Sequence, residues 1–135
     1  MPYPILQIEG VDPESAERLK KSGVRTSATL LDRAKDPKGR RALAAATGIP
    51  ESLILRFANK ADLMRVRGVG GEYADLLAAV GVDTVKDLRN RNLANLSKAI
   101  RDLNARRGLV RLPPSEKVVA KWIGQAKALP PVMTY

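Results

Sequence analysis

The order of residues specifies an all-α protein, a tandem repeat of hairpin-linked helices packed as one compact helical domain. Three observations specify it. Apolar residues recur three and four positions apart, and no run of alternating β-branched residues reads as a strand. Prolines sit at connections, at Pro37, Pro113-Pro114 and Pro130-Pro131, where a missing N–H is harmless. The second half of the chain repeats the first.

In chain order, Pro13 suits a helix start, with Glu14 and Glu17 in the first turn. Arg41 to Thr47 reads as a helix ended by Gly48. Pro50 opens the next, whose apolar stripe is Leu53, Ile54, Phe57, Ala58 and Ala61. Tyr73, Leu76, Leu77 and Val80 form another stripe, followed by Gly81 as a helix-ending residue. Thr84 starts a further helix, with Asp87 three residues on in a capping-box arrangement. Leu93, Leu96, Ile100 and Leu103 share one face, and Gly108 ends that helix. After Pro113-Pro114-Ser115 comes a closing helix with Val118, Val119, Trp122, Ile123 and Ala126 inward. Trp122 and Phe57 lie mid-stripe, so both are expected in the core and not on a base-stacking platform.

The repeat has an offset of 58. Ile8-Glu9-Gly10-Val11-Asp12 matches Val66-Arg67-Gly68-Val69-Gly70, and Ala16, Leu19, Gly23-Val24, Thr26 and Leu30 match Ala74, Leu77, Gly81-Val82, Thr84 and Leu88. The match resumes at an offset of 65, where Ile54, Phe57, Ala58 and Ala61 correspond to Val119, Trp122, Ile123 and Ala126. The expected organisation is a single domain over 1–135, with a first unit at 5–63 and a second at 64–129. The seven extra residues of the second unit are expected near Arg106-Arg107-Gly108.

Composition narrows the chemistry. The chain has no Cys and no His, so a disulfide framework, a thiol nucleophile, a histidine base and a conventional zinc, haem or iron–sulfur site all lack their residues. Its carboxylates are scattered, short of the roughly two or three converging side chains a metal-dependent nuclease requires. It carries neither a Walker loop nor a serine elbow. No enzymatic activity is expected. No apolar run approaches the roughly 20 residues that span a bilayer. Met1-Pro2-Tyr3-Pro4 lacks the features of a secretory signal, so a cytoplasmic, non-membrane protein is expected.

The net charge of +10 favours polyanions, nucleic acid first. It is unevenly spread: −1 over residues 1–32, +6 over 33–67, −3 over 68–88 and +8 over 89–127. Each near-neutral or acidic stretch is thus followed by a strongly basic one.

Gly68-Val69-Gly70 is the sharpest local signal. Glycine permits positive φ and close backbone approach, and Val69 can plug the turn into the core. The amides of Gly70, Gly71 and Glu72 would then point outward at a helix N-terminus. That arrangement suits phosphate and carries no base-sequence information. Basic side chains flank it: Arg65 and Arg67 in the hairpin, then Arg89, Arg91, Lys98 and Arg101. Arg106, Arg107 and Arg111 fill the next loop, and Arg33, Lys35, Lys38, Arg40 and Arg41 form the equivalent first-half cluster. Arg56, Lys117, Lys121 and Lys127 are read as solvating outer helix faces. The plainer alternative is a turn that needs its glycines only for shape, in a protein-interaction or oligomerisation scaffold that meets an acidic partner.

Val66, Gly68, Val69, Gly70 and Ala74 resemble the helix-hairpin-helix motif of Holliday-junction-binding proteins, bacterial DNA ligases, recombinase N-terminal domains and polymerase-associated domains. The string Asp62 to Gly70, continuing through Tyr73 to Leu77 and Gly81 to Val85, together with the ending Ala128 to Tyr135, is similar to a family of small bacterial proteins of unknown function built from two such units. That resemblance covers essentially the whole chain. The motif resemblance implies sequence-independent DNA binding and room for a monovalent cation bridging hairpin carbonyls and phosphate; RNA or ribosome association is a third, weaker option. Two residues depart from the motif. Asp12 replaces the second glycine of the first hairpin, where Pro13 also supplies no N–H, so that hairpin is expected to be mainly structural. Glu72 lies where DNA-binding members often carry Lys or Arg.

Overall fold

The computed structural model of the chain describes residues 2–135. Among them it is all-helical: a 3-10 turn at Ile5–Gln7, then α1 (Pro13–Lys21), α2 (Ser27–Ala34), α3 (Pro37–Thr47), α4 (Glu51–Leu63), α5 (Gly71–Ala79), α6 (Val85–Arg89), α7 (Leu93–Arg107) and α8 (Glu116–Ala128). One isolated antiparallel bridge joins Pro4 to Thr26.

Most helix starts are written locally. The side chains of Asp12, Thr26, Asp36, Thr84, Asn92 and Ser115 each accept a backbone N–H at the start of α1, α2, α3, α6, α7 and α8. At α6 the capping box is complete, with Asp87 returning a bond to the Thr84 amide. Pro50 and Gly70, ahead of α4 and α5, supply no side-chain cap.

Positions 58 apart share backbone features. Gly10 and Gly68 have φ of 97° and 92°, and Gly23 and Gly81 have φ of 86° and 91°. The amides of Val11 and Val69 bond to the carbonyls of Ile8 and Val66, at 3.1 and 3.0 Å. Those of Val24 and Val82 bond to Leu19 and Leu77, both at 2.8 Å. The helices α1 and α5 have nine residues each, and α4 and α8 thirteen each.

In the first half α2 lies against α3 and α4; in the second α8 lies against α6 and α7; α4 and α5 meet between them. The buried apolar residues of both halves form one continuous cluster, with Phe57 and Trp122 at 1% and 2% exposure. Each such aromatic buries a large apolar area, so the two anchor the first- and second-half faces of one core.

Several local expectations shift. The helix expected from Arg41 begins four residues earlier, at Pro37, because Asp36 caps it through the Gly39 amide at 2.7 Å. Arg106 and Arg107 form the last turn of α7 and not a loop. Val118 faces outward at 37% exposure, one residue off the inward stripe. The connection after Gly108 is longer than the one after Gly48. One residue, Ile49, separates the helix-ending Gly48 from Pro50, whereas residues 109–114 separate Gly108 from Ser115.

The segment after α8 folds back over the first half. The Thr134 amide donates to the Lys35 carbonyl at 2.8 Å. Buried Arg40 donates Nη2 to the Thr134 carbonyl at 2.7 Å and Nη1 to that of Ala34 at 3.0 Å. The Tyr135 ring stacks on the Arg40 guanidinium, and its hydroxyl bonds to Asn59 Oδ1 at 3.0 Å.

Candidate functional site

The second hairpin links the end of α4 to the start of α5. Val69 is fully buried, and burying a valine side chain is worth roughly 1.5–3 kcal/mol, so the plug fixes the turn. Gly68 sits in the left-handed region beside Trp122, whose Nε1 lies 3.3 Å from where a β-carbon would stand. At Gly71 the Gln7 carbonyl oxygen occupies the β-carbon position, so only glycine lets the 3-10 turn pack onto the N-terminus of α5.

That packing closes the α-carbon side of the turn. The amides of Gly70, Gly71, Glu72 and Tyr73 have no acceptor among the described residues. They are the orphan donors of a helix start, and no side chain caps them. The first hairpin differs in that respect. Asp12 Oδ1 takes the Ser15 amide at 2.7 Å, which holds its carboxyl below the usual carboxylate value. Its negative charge sits where the second hairpin has only a glycine. The Val66 carbonyl accepts from Val69, and the Arg67 carbonyl from Gln125 at 3.2 Å. Among the described residues, only the Gly68 and Val69 carbonyls of the hairpin are left for the monovalent cation that the resemblance implies.

The basic residues singled out from sequence divide in two. Arg67 and Arg101 are exposed and have no hydrogen-bond or ion-pair partner for their guanidinium among the described residues. The other four are engaged within the protein. Arg65 donates to Asp62 Oδ1 and to the Pro130 carbonyl, both at 2.9 Å. Arg89 donates to the Lys127 carbonyl at 2.9 Å, and Arg91 to that of Val80 at 3.3 Å. Lys98 pairs with Asp102 one turn along α7, at 2.8 Å. Arg65, Arg89 and Arg91 thus satisfy carbonyls at segment ends, a structural duty spacing does not reveal. Arg106, Arg107 and Arg111 are exposed without a partner among the described residues.

Two further residues position the hairpin through long-range bonds. Asp62, 1% exposed, takes the Val85 amide at 2.8 Å on one oxygen and Arg65 on the other. It therefore joins α4, the hairpin and the start of α6. Gln125 of α8 clamps Arg67 from both sides, accepting its N–H at 2.9 Å and donating to its C=O. The three-residue spacing of Asp62 and Arg65 was a readable signal; nothing local points from Gln125 to position 67.

The described residues contain no group of three or more His, Cys, Asp or Glu that could hold a metal ion, and none of their helices is long and apolar enough to cross a membrane. Residues 9–129 match the model of one protein family, described as a domain of unknown function (DUF4332). No curated protein and no solved structure matches the chain.

Proposed function

We propose that this chain, which belongs to the DUF4332 family of unknown function, is a sequence-independent DNA-binding module without catalytic activity. Its two halves would be tandem helix-hairpin-helix units, of which only the second grips phosphate. One observation carries the reading: consecutive amides at Gly70, Gly71 and Glu72 lack an acceptor among the described residues, at the positive end of a nine-residue helix that no side chain caps. The exposed guanidinium of Arg67, two residues before Val69, supports it by adding charge to the same turn. Arg101, Arg106, Arg107 and Arg111 are further exposed cations of the second half. The first hairpin takes no phosphate in this reading, since the Asp12 carboxylate already accepts the Ser15 amide there.

A labelled DNA duplex titrated at two salt concentrations tests it. If five cations meet phosphates, log K falls against log salt with a slope of about −4 to −5. Arg67→Glu weakens binding and reduces the slope by roughly one or more. A duplex that is not retained at about 150 mM salt, or is retained unchanged by Arg67→Glu, sinks the reading.

A second reading, a protein-interaction scaffold, draws support from a different observation. Arg65, Arg89 and Arg91 are tied to backbone carbonyls and Lys98 to a carboxylate, so much of the basic charge beside the hairpin serves the fold. The same titration separates the two, because a scaffold leaves the duplex unbound.

A further inference from the structure

Resting on the duplex-binding reading, we propose that Leu112 is an apolar wedge that enters the DNA minor groove beside the phosphates held by the second hairpin and spreads a base step. Among the described residues Leu112 is the most exposed large apolar side chain, at 76%. Its loop is nonetheless held at both ends. Val110 is buried and bonded both ways to Asn104, its amide donating to Oδ1 at 2.9 Å and its carbonyl accepting Nδ2 at 3.0 Å. Pro114 is buried on the other side. A side chain held out on an anchored loop loses little freedom on insertion, unlike one on a floppy tip.

The loop is tied to the hairpin helix. The Tyr73 hydroxyl, in the first turn of α5, donates to the Leu112 carbonyl at 3.5 Å. The Tyr73 ring packs on Trp122, 5.2 Å between centroids, and Trp122 flanks Gly68. The wedge and the unpaired amides therefore belong to one supported structure. The loop also lies in the connection that is longer in the second half than in the first, so the wedge accompanies the hairpin fitted for phosphate.

Charge identifies the occupant. Arg106, Arg107, Arg111, Lys117 and Lys121 surround Leu112 in the sequence against one carboxylate, Glu116, and all five cations are exposed. None is ion-paired among the described residues. A leucine in a stretch of chain rich in exposed, unpaired cations suits a polyanion with an apolar interior, which is a stacked duplex. Minor-groove proteins insert such apolar residues and kink DNA by roughly 20–90°.

The experiment uses an end-labelled duplex, with affinity and end-to-end energy transfer read for wild type, Leu112→Ala, Leu112→Phe and Arg67→Glu. The expected result is a bent duplex with wild type and with Leu112→Phe. With Leu112→Ala, affinity drops about tenfold, the salt slope is unchanged and the duplex is straight. Arg67→Glu changes the salt slope instead. Because Leu112 is exposed, its variants melt like wild type, so a loss is read as lost contact. Wild-type affinity and bend with Leu112→Ala overturn the wedge while leaving the hairpin reading intact. No duplex binding by wild type overturns both.

Discussion

Gly68 is held in the left-handed region with the indole nitrogen of Trp122 behind it, so any side chain there meets both backbone strain and a neighbour. Gly68→Ala is expected to lower stability by about 1–3 kcal/mol, measured as a shift in the urea midpoint at constant slope. Asp62 is the other residue on which the hairpin depends. Asp62→Ala strands Arg65 and the buried Val85 amide together, and costs about 3 kcal/mol by the same measurement. Gly68 was legible because two glycines around an apolar residue have a local meaning. The tie from Asp62 to Val85 was not, because the two lie 23 positions apart and amide acceptors leave no periodic trace.

At the scale of the helix, capping separates structural from functional starts. Thr84→Ala removes one arm of the capping box at α6 and is expected to cost about 1 kcal/mol in chemical denaturation. Gly70 is the informative contrast. Its φ of −89° suits any residue, and the nearest atom to an added β-carbon is Tyr3 Cε1 at 3.9 Å. Gly70→Asp would copy Asp12, and is expected to raise stability by about 0.5–1 kcal/mol while it abolishes duplex retention. If retention is unchanged, the α5 start is a turn and nothing more. At α1 the Asp12 carboxyl is held below its ordinary value of 3.8, chiefly by the Ser15 amide, so its contribution to stability is complete above that pH. The contribution is lost as the pH falls through the lowered folded-state value. Asp12→Asn is expected to flatten the acid limb of a stability-against-pH curve below about pH 4. These starts were readable because a cap and its target lie within three residues. The early start of α3 is masked in the sequence because Gly39 in its first turn reads as an interruption, while the Asp36 cap overrides it.

Across the whole molecule, fold class and periodic core were written in the sequence. Phe57 and Trp122, read from helical spacing alone, are buried in one shared cluster. Long-range polar ties were not. Gln125 on Arg67, Arg65 on Pro130 and Tyr135 on Asn59 join residues 58, 65 and 76 positions apart, and no local pattern encodes such pairs. They also explain why charge segregation over-counted the cations open to a partner: an arginine that closes a distant helix end looks the same in sequence as one that faces solvent. The fold-back segment makes the longest of these ties, since Thr134 meets the Lys35 carbonyl 99 positions back and its own carbonyl meets Arg40 across 94. Synthesis runs from the first half to the last, so a nascent chain holds Arg40 without that acceptor until the stretch beyond α8 has left the ribosome. The polar ties of Arg40 at the start of α3 are therefore completed last although α3 is made early, and a stalled chain lacking that stretch should be readily cleaved by proteases around α3.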